Sequence, residues 1–302
     1  MKKSTLWLFP VLLLLVCACN LSAVASSSPI APTVTESADS PVETDSAPMT
    51  DAPPDAVNTE APDNPSTASE PLPAGALSIV SLGDSLTQGD GDESGEGGYP
   101  SRLQKDIEAI RPGSYMLNLG KSGWSSSDLI NGQSDGASQL TQALAAKPQI
   151  ATVWIGSNDL WYLYEYGPEP MTDEAEQDDL QTYEVNIDTI LSKLTRNSAK
   201  VFIALLDDQS KRPVVANPPN PAEPAFTSTT AEDRTRMSKH VDAYNEIIRR
   251  KAAQYGAATV DFFNTDIFTN PATLYSDGNH PNTAGYEKIT QIWFDALKGY
   301  IK

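Results

Sequence analysis

Cysteine and histidine are both scarce in this chain. Its 302 residues hold two of each, and both cysteines, Cys17 and Cys19, lie within the first twenty positions. The remainder has no disulfide, no thiol nucleophile and no cysteine ligand for a metal, so an apolar core must carry its stability. Basic residues are also few, 21 Lys and Arg against 40 Asp and Glu, for a net charge of −19. No basic cluster forms anywhere. That excludes nucleic acid as a partner and argues against adsorption to anionic lipid. The sequence contains no internal repeat, and oligomeric state has no signature in it.

The chain opens on "MKKSTLWLFPVLLLLVCACN", two lysines followed by an apolar run from Leu6 to Ala18. A basic start and a short apolar stretch predict a secretory signal over residues 1–18. The run falls short of the roughly 20 residues that a membrane span takes. Its end, "VCAC" (Val16 to Cys19), resembles the lipobox of bacterial lipoproteins. The resemblance implies that Cys19 is lipidated. The protein would then be exported and held on the extracytoplasmic face of a bacterial membrane by an N-terminal lipid anchor. Ordinary cleavage and secretion is the alternative.

Residues 19–75 change character. Ser, Pro, Thr, Ala and acidic residues dominate, there is no Lys or Arg, and large apolar side chains are nearly absent. Such a segment buries too little surface to offset its ordering entropy. It reads as a disordered tether, with a reach of about 40 Å as a coil and up to roughly 170 Å if extended like polyproline. Residues 76–302 suit one α/β domain. Setting aside the nine tether acids and the two leader lysines leaves that domain at −12.

Short apolar runs recur through the domain: "LSIVSL" (77–82), "SYMLNLG" (114–120), "IATVWIG" (150–156), "KVFIALL" (200–206) and "AATVDFF" (257–263). The spacers between them are long enough for crossover helices, so the pattern predicts a mainly parallel, five-stranded sheet with helices on both faces. Four helical stripes are legible. They are Leu103, Ile107 and Ile110; Val185, Ile190, Leu191 and Leu194; Met237, Val241, Tyr244, Ile248, Ala252 and Tyr255; and Tyr286, Ile289, Trp293, Leu297 and Tyr300. Thr230 with Asp233 predicts a capping box ahead of the third. Two segments, 161–179 and 207–230, match no element and leave the third and fourth strands at the ends where open α/β sheets bind ligands.

Candidate chemistry begins at "SLGDSLTQG", where an apolar run breaks into a sharp turn that presents Ser85. Alone, Ser85 fits a turn as well as it fits a nucleophile. A serine nucleophile needs a base, and the base needs a partner to orient it. His240 lies on the flank of a helical stripe and reads as a solvated surface residue. His280 lies in the turn "DGNHPN", three residues after Asp277, close enough for carboxylate and imidazole to meet. Asp277 as a local turn cap is the other possibility. Gly120, at the end of the second strand, and Asn158, just after the third, are candidate oxyanion donors. A turn glycine and a helix cap are equally open for them. Asp84 and Asp159 read as local hydrogen-bond organisers.

Taken in order, "GDSLTQG", "NLGKSG", "GSND" and "DGNHPN" resemble the four blocks of the SGNH hydrolases, the GDSL family. The resemblance covers residues 77–302. It implies a flavodoxin-like three-layer αβα sandwich, with Ser85, Asp277 and His280 as a catalytic triad. Gly120, Asn158 and the Ser85 backbone N–H would form an oxyanion hole. It also implies no cofactor and no metal. The activity implied is hydrolysis of carboxylic esters through an acyl-enzyme, in the manner of the thioesterase and lysophospholipase-like group. The substrate would be a small-molecule, lipid or glycan ester. A carbohydrate O-acetylesterase and a non-catalytic binding module of the same fold are the alternatives. The proline-rich 207–230 insertion, being stiff, favours short or medium acyl groups.

Overall fold

The computed structural model describes residues 72–134, 136–216, 226 and 229–302. The chain divides into two units, Met1–Asn64 and Pro65–Lys302. The signal, Cys19 and nearly all of the tether lie outside the described residues, as do 217–225 and 227–228 of the second unassigned segment. Residues 72–75, assigned by composition to the tether, are docked on the domain. The Leu72 N–H donates to Tyr300 O at 2.9 Å, and the Arg111 guanidinium donates to Leu72 O and Pro73 O.

The elements alternate as the spacing predicts. In order they are β1 (Ser78–Gly83), α1 (Ser85–Gln88), α2 (Gly98–Ile110), β2 (Tyr115–Asn118), α3 (Ser126–Asn131) and α4 (Gln139–Ala146). Next come β3 (Ile150–Trp154), α5 (Ser157–Tyr166), α6 (Asp173–Arg196), β4 (Lys200–Leu205) and α7 (Pro213–Ala216). The last are α8 (Ala231–Tyr255), β5 (Ala258–Asp261) and α9 (Thr283–Ile301). All neighbouring strands pair in parallel, in the order β2-β1-β3-β4-β5. Right-handed crossovers then place α2 on one face and α4, α6 and α8 on the other. Helix α9 packs on α2, and α6 packs on α8. This is the expected α/β three-layer arrangement.

Strands β1, β3 and β4 are buried almost throughout because helices cover both their faces. On the α2/α9 side, Trp154 stacks on Phe262 at 4.1 Å and Tyr99 on Trp293 at 5.4 Å, all fully buried. Removing a side chain from such a cluster typically costs about 3–5 kcal/mol. On the other side, Tyr183 of α6 stacks on Tyr244 of α8 at 3.7 Å.

Two stripe residues and two segments depart from the sequence reading. Val185 is 64% exposed and Ile110 is 41% exposed, and Tyr183 and Ile187 take the buried positions on α6 instead. Segment 161–179 is mostly helical. α5 runs to Tyr166, and α6 starts at Asp173 behind the Thr172 cap with three acids in its first turn, where the helix dipole favours them. The described part of segment 207–230 holds a 3₁₀ turn at Gln209–Lys211 and then α7. The capping box at Thr230 and Asp233 forms as predicted.

Candidate active site

The strand order reverses direction between β1 and β3, and Ser85 and Asn158 leave these two strands at their C-terminal ends. Asp84 caps α1 by accepting the Leu86 N–H at 3.0 Å, and this one-turn helix ends at Gly89 in the left-handed region. Ser85 is therefore the first residue of a helix, where the backbone N–H has no intrahelical acceptor. Gln139 of α4 braces the turn from behind. Its side-chain amide accepts the Gly83 N–H at 2.9 Å and donates to Gly83 O at 2.8 Å.

His280 arrives from the opposite end of the domain, 195 residues away, and its Nε2 lies 3.0 Å from Ser85 Oγ. Its Nδ1 lies 2.7 Å from Asp277 Oδ2. A carboxylate only accepts, so Nδ1–H donates to Asp277 and Nε2 is left to accept the serine proton. Asp277 Oδ1 accepts the N–H groups of Asn279 at 2.8 Å and His280 at 2.9 Å, with Gly278, at φ 71°, making the turn between Asp277 and Asn279. Partial burial opposes the charge on Asp277. The His280 side chain and these two amides outweigh it and hold the carboxyl below its ordinary range.

The oxyanion candidates differ from each other. The Asn158 Nδ2 donates to Trp124 O at 3.0 Å, which orients the amide and leaves its second hydrogen uncommitted by that bond. The Gly120 N–H donates to Asn118 Oδ1 at 2.9 Å, so in this structure a side-chain acceptor already holds it. What Gly120 visibly provides is room. A Cβ there would lie 2.4 Å from Gln88 N and 2.6 Å from Thr87 C, so only glycine lets this loop close on α1.

Asp84 and Asp159 do organise their neighbourhoods, and both are perturbed. Burial pushes the Asp84 carboxyl up to about 6, against the Leu86 N–H and the charges of Arg212 and His280. Its Oδ2 accepts no hydrogen bond among the described residues. Burial likewise pushes Asp159 up to about 7, against hydrogen bonds from the Ser126 side chain and backbone.

His240 is not a surface residue. It is 4% exposed, and its Nε2 lies 2.8 Å from Asp179 Oδ2, which also accepts the Tyr244 hydroxyl at 2.5 Å. The sequence shows only a helix flank there. The partner that draws the ring inward comes from α6, 61 residues earlier. Of the aromatics after Asn158, Tyr164 belongs to the core and Tyr162 is 41% exposed with its hydroxyl on Gly123 O. Trp161 packs on Phe226 at 4.4 Å. Sequence reasoning missed Gln139 and Arg212. A glutamine on a helix and an arginine in a polar loop both look like surface residues.

Residues 81–288 match the GDSL-like Lipase/Acylhydrolase family, and the chain belongs to it. Among curated proteins, a multidomain esterase of Ruminococcus flavefaciens is 24% identical over 259 residues, 76% of this chain. The match spans only 29% of that relative's length. Among solved structures, a catalytic mutant of the acetylxylan esterase Axe2 from Geobacillus stearothermophilus aligns at TM-score 0.53 with 18% identity. It covers 74% of this chain and 94% of that one. LAE5, an alpha/beta hydrolase enzyme from the metagenome of Lake Arreo, Spain, aligns at 0.51 with 22% identity, over 75% and 97% of the two chains. TesA aligns at 0.51 with 21% identity, over 74% and 98%.

The raised carboxyls have a consequence for stability. Asp84 binds its proton more tightly folded than unfolded, so its contribution favours the folded state at low pH and is lost as pH rises through about 6. Asp84→Asn removes that dependence. In urea unfolding, the variant should gain stability relative to wild type between about pH 4.5 and about pH 7.5. A difference that stays constant or shrinks over that range contradicts the raised value.

Proposed function

We propose that the protein is a serine esterase in which Ser85 is the nucleophile, His280 the general base and acid, and Asp277 its orienting partner. The observation that carries this is the 3.0 Å contact between Ser85 Oγ and His280 Nε2, with Asp277 2.7 Å from the other ring nitrogen. Ser85 attacks the ester carbonyl while its proton passes to Nε2. The oxyanion that forms is met by the Ser85 N–H and the free hydrogen of the Asn158 amide, with the Gly120 N–H joining if Asn118 releases it. The imidazolium, stabilised by Asp277, protonates the departing alcohol. His280 then takes a proton from water, which hydrolyses the acyl-enzyme and restores Ser85.

The substrate class we propose is a short acyl group on a bulky alcohol, with an O-acetylated glycan favoured over a lysophospholipid. The side chains of His280 and Asp277 are 20% and 35% exposed over a buried Ser85, which supports a site that opens to solvent on the His280 side. Such a site suits a large alcohol lying outside the protein and gives a long acyl chain little to bury against. The acidic domain also repels anionic lipid headgroups. An acetylxylan esterase among the structural neighbours supports the same reading.

The kinetic test uses p-nitrophenyl esters of increasing length, lysophosphatidylcholine and acetylated xylan. Ser85→Ala and His280→Ala should each lower kcat by about 10⁴-fold or more, and the double variant little further, because the pair acts as a unit. Acetyl to octanoyl esters should exceed palmitoyl esters in kcat/KM. Wild-type turnover in either single variant overturns the mechanism, and a palmitoyl or lysophospholipid preference overturns the substrate class.

We further propose export, with Cys19 lipidated and the 19–75 segment holding the domain away from the membrane. The "VCAC" sequence after an apolar leader supports this. Cells expressing the full chain should incorporate a labelled fatty acid into the protein, and Cys19→Ser should abolish incorporation. Unlabelled, soluble wild-type protein would sink the proposal.

A further inference from the structure

The turn carrying Asp277 and His280 does not stand alone. It is docked on the segment that leaves β4, through two contacts. The Val214 N–H donates to Gly278 O at 3.1 Å, and Arg212 Nη1 donates to Asn279 Oδ1 at 2.7 Å. Asn279 is the residue between Gly278 and His280, and its own N–H is one of the two that fix Asp277 Oδ1. A displacement of Asn279 therefore reaches the carboxylate and the imidazole together.

Arg212 is well placed to prevent that displacement. It is 2% exposed. Its Nε and Nη2 make a bidentate pair with Asp207, at 2.8 and 2.6 Å, and its guanidinium lies 4.3 Å over the Phe268 ring. All three nitrogens are held and one face is stacked, so the fork has no freedom left. Asp207 follows β4 by two residues, which ties the chain Asp207–Arg212–Asn279 to the sheet itself. Arg212 also acts on Asp84, the residue before the nucleophile, through its charge.

We infer that Arg212 is a positioning residue for the esterase reaction. By holding Asn279 it fixes the 277–280 turn, and with it the distance from His280 to Ser85. The inference rests on the triad reading above. Arg212 touches no reacting atom. The competing account is that it serves only to neutralise the buried Asp207.

Asn279→Ala separates the two accounts, because it removes the link to the turn and leaves the Arg212–Asp207 pair intact. Kinetics with p-nitrophenyl acetate on Asn279→Ala, Arg212→Met, the double variant and Ser85→Ala decide the matter, with a melting temperature for each. Asn279→Ala should lower kcat by about 10- to 100-fold, since small misplacements of reacting groups cost rates of that order. Its KM should stay within about twofold of wild type, and its melting temperature should stay close. In the double variant, Asn279→Ala should add no further loss of kcat to that of Arg212→Met. If Arg212→Met does not fold, Asn279→Ala alone decides. A wild-type kcat in Asn279→Ala, a loss confined to KM, or losses that multiply in the double variant overturn the inference. Ser85→Ala tells the two failures apart. If it keeps turnover, the triad reading fails and this inference falls with it. If it is inactive while Asn279→Ala keeps its kcat, only the positioning role of Arg212 falls.

Discussion

All five strands point the same way, and the site depends on that constraint. A parallel sheet brings every strand's C-terminal end to one edge, so residues far apart in the chain meet there. Ser85 leaves β1, Gly120 leaves β2, Asn158 leaves β3, Arg212 follows β4, and the Asp277–His280 turn follows β5. The contact between Ser85 and His280 closes a loop of 195 residues, and no local propensity could supply it. The remaining task is close approach. Gly120 lets its loop close on α1, and Gln139 uses both ends of its amide to hold the backbone of Gly83. The turn carrying Ser85 is thus held from the sheet, from a neighbouring loop and from a helix.

Placing so many acids at one edge carries an electrostatic cost, and the structure meets it differently for each group. Asp277 keeps its charge because an imidazole and two amides surround it. Asp207 is met by a bidentate arginine, the kind of pairing that a buried carboxylate requires. Asp84 and Asp159 receive less help and are pushed upward by burial instead. The carboxyl of Asp277, next to His280, is held below its ordinary range, while those of Asp84 and Asp159, the neighbours of Ser85 and Asn158, titrate closer to neutrality.

Much of this was legible in the sequence, and the limits have physical causes. The strands were readable because a sheet covered on both faces needs continuous apolar runs such as "IATVW" and "KVFIAL". That Ser85, Asp277 and His280 meet was readable because the chemistry proposed for them allows few residue types and the chain has one histidine beside a suitably spaced aspartate. Helix α6 was missed over its first turns because acids fill them; yet Thr172 followed by those acids is itself an N-terminal signal. Val185 was misassigned because an apolar side chain on a long amphipathic helix does not reveal how wide the buried stripe is. His240 and Arg212 were illegible for a different reason. What holds each of them is a partner the local pattern does not show, Asp179 from α6 for His240, and Asn279 together with Asp207 for Arg212.

The account stands on Ser85 being an activated nucleophile. The most direct measurement is labelling of the purified protein with a fluorophosphonate, followed by mass spectrometry of its peptides. The account requires one adduct per chain, located on Ser85 and formed far more slowly in His280→Ala. An unlabelled protein, or an adduct on another residue, would contradict it.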